Sequence, residues 1–136
     1  MRVLGLDIGD RYIGVALSDP LRLVAQGLPT VKRSDDSKDI AVLMDIISTR
    51  EVELIVAGFP KNMDGSLGTQ SEKVMAFADK LSEIAGIPVK YWDERLTTVA
   101  ANKLMLEWDY SRKKRKDKVD QMAAILILQG YLDNEK

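Results

Sequence analysis

Three carboxylates in this chain stand where a carboxylate is out of place. Asp7 interrupts the apolar run Leu4-Gly-Leu-Asp-Ile8. Glu94 falls between an apolar stretch and a helix-like one, in Tyr91-Trp-Asp-Glu-Arg-Leu-Thr-Thr98. Asp120 precedes Ala124 by four residues and Ile127 by seven, so at about 100° per residue it lies in the apolar arc of a helix. Such acids suit a hard divalent cation held by oxygen. Magnesium takes one or two carboxylates with waters and phosphate oxygens, and a pair of such ions about 4 Å apart activates water for phosphodiester hydrolysis. Each acid also has a plainer reading. Asp7 could accept amides of the turn at Gly9, and Glu94 and Asp120 could each offset the positive end of a helix.

The chain contains no histidine and no cysteine. A Ser-His-Asp triad, imidazole acid–base catalysis, disulfides and thiolate or histidine metal sites are therefore excluded. Cysteine-free composition fits a reducing cytoplasm, and Asp7 comes too early for a signal-peptide core, so a cytoplasmic protein is expected. The longest apolar run, Met122 to Leu128, is far short of the roughly 20 residues that span a bilayer. With 136 residues, 46% apolar and 30% charged, one globular domain covering 1–136 is expected. Net charge is −1, yet Arg112 to Lys118 holds six bases and one acid. Any nucleic acid would be met by a local patch.

The elements that must position these residues follow from periodicity. Val3–Ile8 and Tyr12–Ser18 read as strands of an antiparallel hairpin. Their faces split cleanly. Leu4, Leu6 and Ile8 share one side, while Val3, Gly5, Asp7 and Gly9 share the other. Asp7 thus projects from a face stripped of bulk, which leaves room for a helix or a ligand. A third strand over Gln26–Lys32 contains Pro29, which implies an edge or a bulge. Ile40, Leu43, Met44 and Ile47 define a helix over Ser37–Thr49. Glu53–Ala57 is a strand. Thr69–Ala85 is a helix with the stripe Val74, Phe77, Ala78, Leu81, Ile84 and Ala85, stopped by Gly86. Pro88–Trp92 then reads as a strand, with helices over Thr98–Glu107 and Asp117–Leu132. The alternation implies a mixed α/β sheet with helices on its faces.

Four blocks together resemble the YqgF-type family of the ribonuclease H-like superfamily, known both as Holliday-junction resolvases and as nucleases maturing the precursor of 16S ribosomal RNA. They are LGLDIGDRYIGVALSDP, GFPKNMDGSLGTQSEKV, DERLTT and KVDQMAAILILQGYL. The resemblance implies a ribonuclease H-like fold with a mixed five-stranded sheet. It implies Asp7, Glu94 and Asp120 as catalytic ligands of Mg²⁺ or Mn²⁺. It also implies a nucleic-acid substrate, RNA in preference to branched DNA, with ribosomal precursor particles as partners and a monomer or homodimer as the working unit. Substrate contacts are expected from Arg11, from Lys61 and Asn62 in the glycine-bearing loop after Gly58, and from Arg95, Thr97 and Thr98. They are also expected from Arg112, Lys113, Lys114 and Arg115. Where the family often carries a second basic residue beside Arg11, this chain has Tyr12.

Two other readings compete. LGLDIG also resembles the first phosphate loop of sugar kinases and actin-like ATPases, but those proteins need two such domains. A nucleic-acid-binding module without turnover would explain the basic run, though not three acids in awkward places. A solvated connection between helices is the plain reading of Arg112 to Lys118. Its closeness in sequence to Asp120, and to Trp108 and Tyr110 whose rings could stack on bases, argues for a substrate contact.

Overall fold

The computed structural model describes residues 1–59, 68–93 and 112–135, with side chains in the last stretch from residue 121 on. The strands are β1 (Arg2–Ile8), β2 (Tyr12–Ser18), β3 (Ala25–Lys32), β4 (Val52–Phe59) and β5 (Val89–Asp93). The helices are α1 (Asp36–Thr49), α2 (Thr69–Ala85) and α3 (Arg112–Glu135). The strands form one mixed sheet in the order β3-β2-β1-β4-β5. β1 and β2 form the expected antiparallel hairpin, while β1, β4 and β5 run parallel. Parallel neighbours need crossovers, and α1 and α2 lie between the strands concerned.

The alternation seen in β1 is what separates the two cores. Leu4, Leu6 and Ile8 bury themselves with Ile13, Val15 and Leu17 under α1 and α2. Val3, Ala16, Leu54 and Val56 pack on the opposite side against Ala124, Ile127, Leu128 and Leu132 of α3. In α1 the stripe Ile40, Leu43 and Ile47 is buried. In α2 the buried stripe ends at Leu81, and Ile84, expected to continue it, is 53% exposed. Gly86 closes α2 at φ 70°, a left-handed value that costs glycine nothing.

β3 is the sheet edge that Pro29 implied. Ile13 pairs with Val31 and Val15 with Leu28, so β3 carries one extra residue between them, a bulge at Pro29-Thr30. α3 departs from expectation at its start. It begins at Arg112, five residues ahead of the expected Asp117, so the basic run forms the first turns of this helix and is not a connection. A charged run carries no apolar stripe, and without one the 3.6-residue period is invisible in sequence. The expected helix over Thr98–Glu107 lies outside the described residues.

Candidate active site

Asp7 lies opposite Gly14 in the hairpin, with Gly5 opposite Ala16 just behind it. Strand alternation turns its half-buried side chain to the α3 side of the sheet. The lack of bulk around it admits α3 very closely. A Cβ on Gly5 would come within 2.7 Å of Leu128 Cβ and 3.3 Å of the Ala124 carbonyl oxygen. The space foreseen beside Asp7 is therefore filled, one turn away, by the helix that carries Asp120.

The direction of α3 follows from two glutamines. Gln129 Oε1 accepts the Ala25 amide at 2.9 Å, and Gln121 Nε2 donates to the Leu28 carbonyl at 2.9 Å. Residue numbers rise along β3 as they fall along α3, so the helix runs antiparallel to β3 and to β1. From Ala124 to Asp120 is about 6 Å along the helix, and from Gly5 to Asp7 is about 6.6 Å along the strand. Both steps lead toward the same end of the sheet. At backbone level, Asp120 thus belongs to the sheet end where Asp7 stands.

β5 ends at the same place. Leu6 pairs with Ala57, and Phe59 with Asp93, so β1, β4 and β5 finish at one sheet end. Glu94 is the next residue in the chain. The last residues of β5 are held on both faces. Tyr91 donates its phenol to Asp79 Oδ1 of α2 at 2.6 Å, and burial first, then Asp79, pushes the phenol pKa well above its usual value. Trp92, on the other face, meets Tyr131 edge-on with ring centroids 6.3 Å apart. The side chains of Glu94 and Asp120 lie outside the described residues, and among the described residues no three acids gather into a metal cage. Ends of parallel strands are where sheets of this class build ligand sites.

Arg33 is not among the residues singled out by pattern or motif. Its guanidinium donates to the Gly9 carbonyl (2.9 Å), to Asp39 Oδ2 (2.8 Å) and to Asp36 Oδ1 (3.0 Å), and sits 4.8 Å from the centre of the Phe77 ring. Asp39 is 2% exposed and also accepts the Ser34 amide and hydroxyl. One side chain thereby ties the turn two residues beyond Asp7 to α1 and α2. The turn itself is closed by the Gly9 amide donating to the Tyr12 carbonyl at 2.9 Å. Beside it, on the α1–α2 side of the sheet, is a cleft of about 330 Å³ lined by Gly9, Asp10, Arg33, Lys73 and Phe77.

Among the other expected substrate contacts, Arg11 is exposed in this turn, its carbonyl accepting the Arg33 amide at 2.8 Å. Arg112, Lys113, Lys114 and Arg115 lie on the first turns of α3, but their side chains are outside the described residues. Lys61, Asn62, Arg95, Thr97 and Thr98 are outside them altogether.

The family model described as "RuvX: Holliday junction resolvase" matches residues 1–134. The chain belongs to the RuvX family. A Clostridium kluyveri relative named "Putative pre-16S rRNA nuclease" is 61% identical over 133 residues, covering 98% of this chain and 97% of the relative. A Clostridium acetobutylicum protein of the same name is 54% identical over 134 residues, covering 98% and 99%. Among solved structures, Thermus thermophilus RuvC in complex with a Holliday junction aligns with a TM-score of 0.63 at 19% identity, covering 100% of this chain and 97% of that one. The fowlpox virus resolvase in its junction complex aligns at 0.57 and 11% identity, covering 99% of each. These two likenesses bear on the fold, and they bear out the ribonuclease H-like architecture. A ROK family protein from Streptococcus pneumoniae aligns at 0.51 over 80% of this RuvX-family chain but only 39% of its own. At 16% identity this likeness bears on the fold alone.

Proposed function

We propose that this chain is a metal-dependent nuclease that cleaves phosphodiester bonds in the precursor of 16S ribosomal RNA, as one domain over residues 1–136. The observation that carries the reading is Asp7, a carboxylate on the bulk-free face of a central strand, at the sheet end where β5 finishes at Asp93, the residue before Glu94 in the chain, and where α3 has its N-terminal part. The names of relatives 54–61% identical along almost their whole length support RNA as substrate.

The donor set fits a hard cation. Carboxylate oxygens are the preferred ligands of magnesium and manganese, and Asp7, Glu94 and Asp120 would hold it. When bound, Mg²⁺ or Mn²⁺ would lower the pKa of water and offset charge on the scissile phosphate. The chain's own part is positional. β1 fixes Asp7 between Gly5 and the turn, and Arg33 keeps that turn from moving. Arg112, Lys113, Lys114 and Arg115 draw in the phosphate backbone, with Arg11, Lys61, Asn62, Arg95, Thr97 and Thr98 as further contacts. Phosphate contacts of this kind hold a strand without reading its sequence.

A second reading, cleavage of branched DNA, is favoured by the family description "Holliday junction resolvase". It requires a two-fold dimer to cut two strands symmetrically. Cleavage of a pre-16S RNA fragment beside a synthetic four-way junction, with and without EDTA and with light scattering, tests both. Mg²⁺-dependent RNA cutting by a monomer is expected. Symmetric junction cutting by a stable dimer replaces the RNA reading, and undiminished cleavage in EDTA removes the metal.

A further inference from the structure

The cleft beside the Gly9 turn lies on the other face of the sheet from Asp7, yet it opens at the same end. Asp7 projects toward α3, whereas Ile8, the next residue, lines the cleft on the α1–α2 side. A volume of about 330 Å³ falls at the small end of the range for ligand clefts, roughly 300–1,000 Å³. It suits a single ring system and is too small for a duplex. Its walls are fixed by packing. Arg33 is held by three acceptors, the Gly9 carbonyl, Asp39 and Asp36. Its guanidinium lies 4.8 Å from the centre of the buried Phe77 ring. The cleft thus presents a planar cation and an aromatic ring, both settled before a ligand arrives, and a site already ordered loses little entropy on binding.

The charges around the cleft select a neutral ligand. Arg33 and Lys73 are opposed by Asp10 and Asp36, and Asp39 is paired with Arg33 at 2.8 Å. Lys73 already reaches Asp10 at 3.9 Å. Two cations set against three carboxylates make a poor seat for phosphate. What faces a ligand is rich in acceptors, since Asp10 and Asp36 are 67% and 54% exposed, and Gln70 adds an amide that both donates and accepts. Unpaired bases stack on rings and guanidinium planes and are read along their edges. A carboxylate accepts from the amino group of cytosine, whereas uracil offers a carbonyl at that position. We propose that the cleft takes one unpaired, amino-bearing base of the substrate strand, its ring against Arg33 and Phe77 and its amino group on Asp10 or Asp36. The distance is within a strand's reach. Gly9, at the cleft, is two residues from Asp7, about 6.6 Å along the chain, and a stacked strand advances about 3.4 Å per nucleotide. A base one to three nucleotides from the scissile phosphate therefore reaches the cleft by passing over the turn that carries Arg11. The proposal rests on the nuclease reading for the identity of its ligand.

The experiment measures affinity in EDTA for a short oligouridylate and for the same oligomer with one central uridine replaced by cytidine. The parent is expected to bind the cytidine-bearing strand about tenfold more tightly, the scale of one well-made base contact. Ala76 lines the cleft from an exposed position on α2, so Ala76→Phe puts a ring where the base would lie. This variant is expected to bind both strands alike, with the parent's affinity for oligouridylate. Melting temperature reports its folding, and Asp10→Ala, at an exposed site, serves if Ala76→Phe melts early. Equal affinity for the two strands in the parent overturns the proposal, as does a preference that survives in the folded variant. Loss of oligouridylate binding in folded Ala76→Phe assigns the cleft to the strand backbone. Binding of free cytidine monophosphate, with no preference between the strands, assigns it to a free nucleotide. Either outcome also overturns it. Mg²⁺-dependent cutting of a pre-16S RNA fragment by the parent reports separately on the nuclease reading.

Discussion

Arg33 holds together the framework beside the candidate site. It joins the Gly9 carbonyl, two residues beyond Asp7, to a carboxylate of almost no exposure. Replacing Arg33 with Met leaves Asp39 buried with only its Ser34 bonds. Breaking a buried pair typically costs about 3–5 kcal/mol, and the remaining bonds set the expectation at about 3, read from urea unfolding. Arg33→Lys restores charge but cannot span three acceptors, and should recover only part. Tyr91 makes a prediction in pH. Its folded pKa is raised, so its contribution to stability is full below the ordinary phenol value of 10.0 and is lost as pH rises beyond it. Tyr91→Phe should therefore cost about 1 kcal/mol at neutral pH and show a flatter loss of stability above pH 10 than the parent. Neither residue was legible in sequence. Arg33 draws its partners from the β1–β2 turn, α1 and α2, and a lone arginine after a strand has no period to betray it. Asp7 stands out as a candidate because a single carboxylate in an alternating strand is conspicuous, and Asp120 because Ala124 and Ile127, both fully buried, lie four and seven residues beyond it in the chain.

At the scale of elements, the placing of α3 decides whether two of the three acids can meet. Gly5 sets how near it lies. Gly5→Ala forces Leu128 Cβ, an atom fixed to the helix backbone, to give way, whereas Gly27→Ala meets the side chain of Gln121. Overpacking of the first kind costs about 1–3 kcal/mol. Gly5→Ala should lose that much stability and also much of its nuclease rate, with Gly27→Ala milder in both. The strands and the apolar helices were readable from alternation and from 3.6-residue stripes. The start of α3 was not, because its first turns are nearly all cationic. These turns make their own prediction. Each phosphate contact contributes a slope of about 0.7 in log affinity against log salt for a single strand. Replacing Lys113, Lys114 and Arg115 with glutamine should flatten the slope by about two units if all three touch phosphate, with cleavage at saturating substrate much less affected. An unchanged slope means that these turns face solvent only.

Over the whole molecule, α3 runs from a basic start at the Asp7 end to an acidic finish at the other end of the sheet, beneath a net charge of only −1. No described helix is long and apolar enough to cross a membrane. The two-sided core was foreseeable from β1 alone. The exposure of Leu21 and Leu23, between β2 and β3, was not, since they read as ordinary apolar residues. The central claim concerns Asp7, and the most direct measurement is cleavage of a pre-16S RNA fragment in Mg²⁺ by Asp7→Asn, with melting temperature taken on the same sample. Losing even an outer-shell partner of a metal costs about 10–100-fold, so a folded Asp7→Asn should retain less than about a hundredth of the parent rate. A folded variant that cuts as fast as the parent contradicts the account.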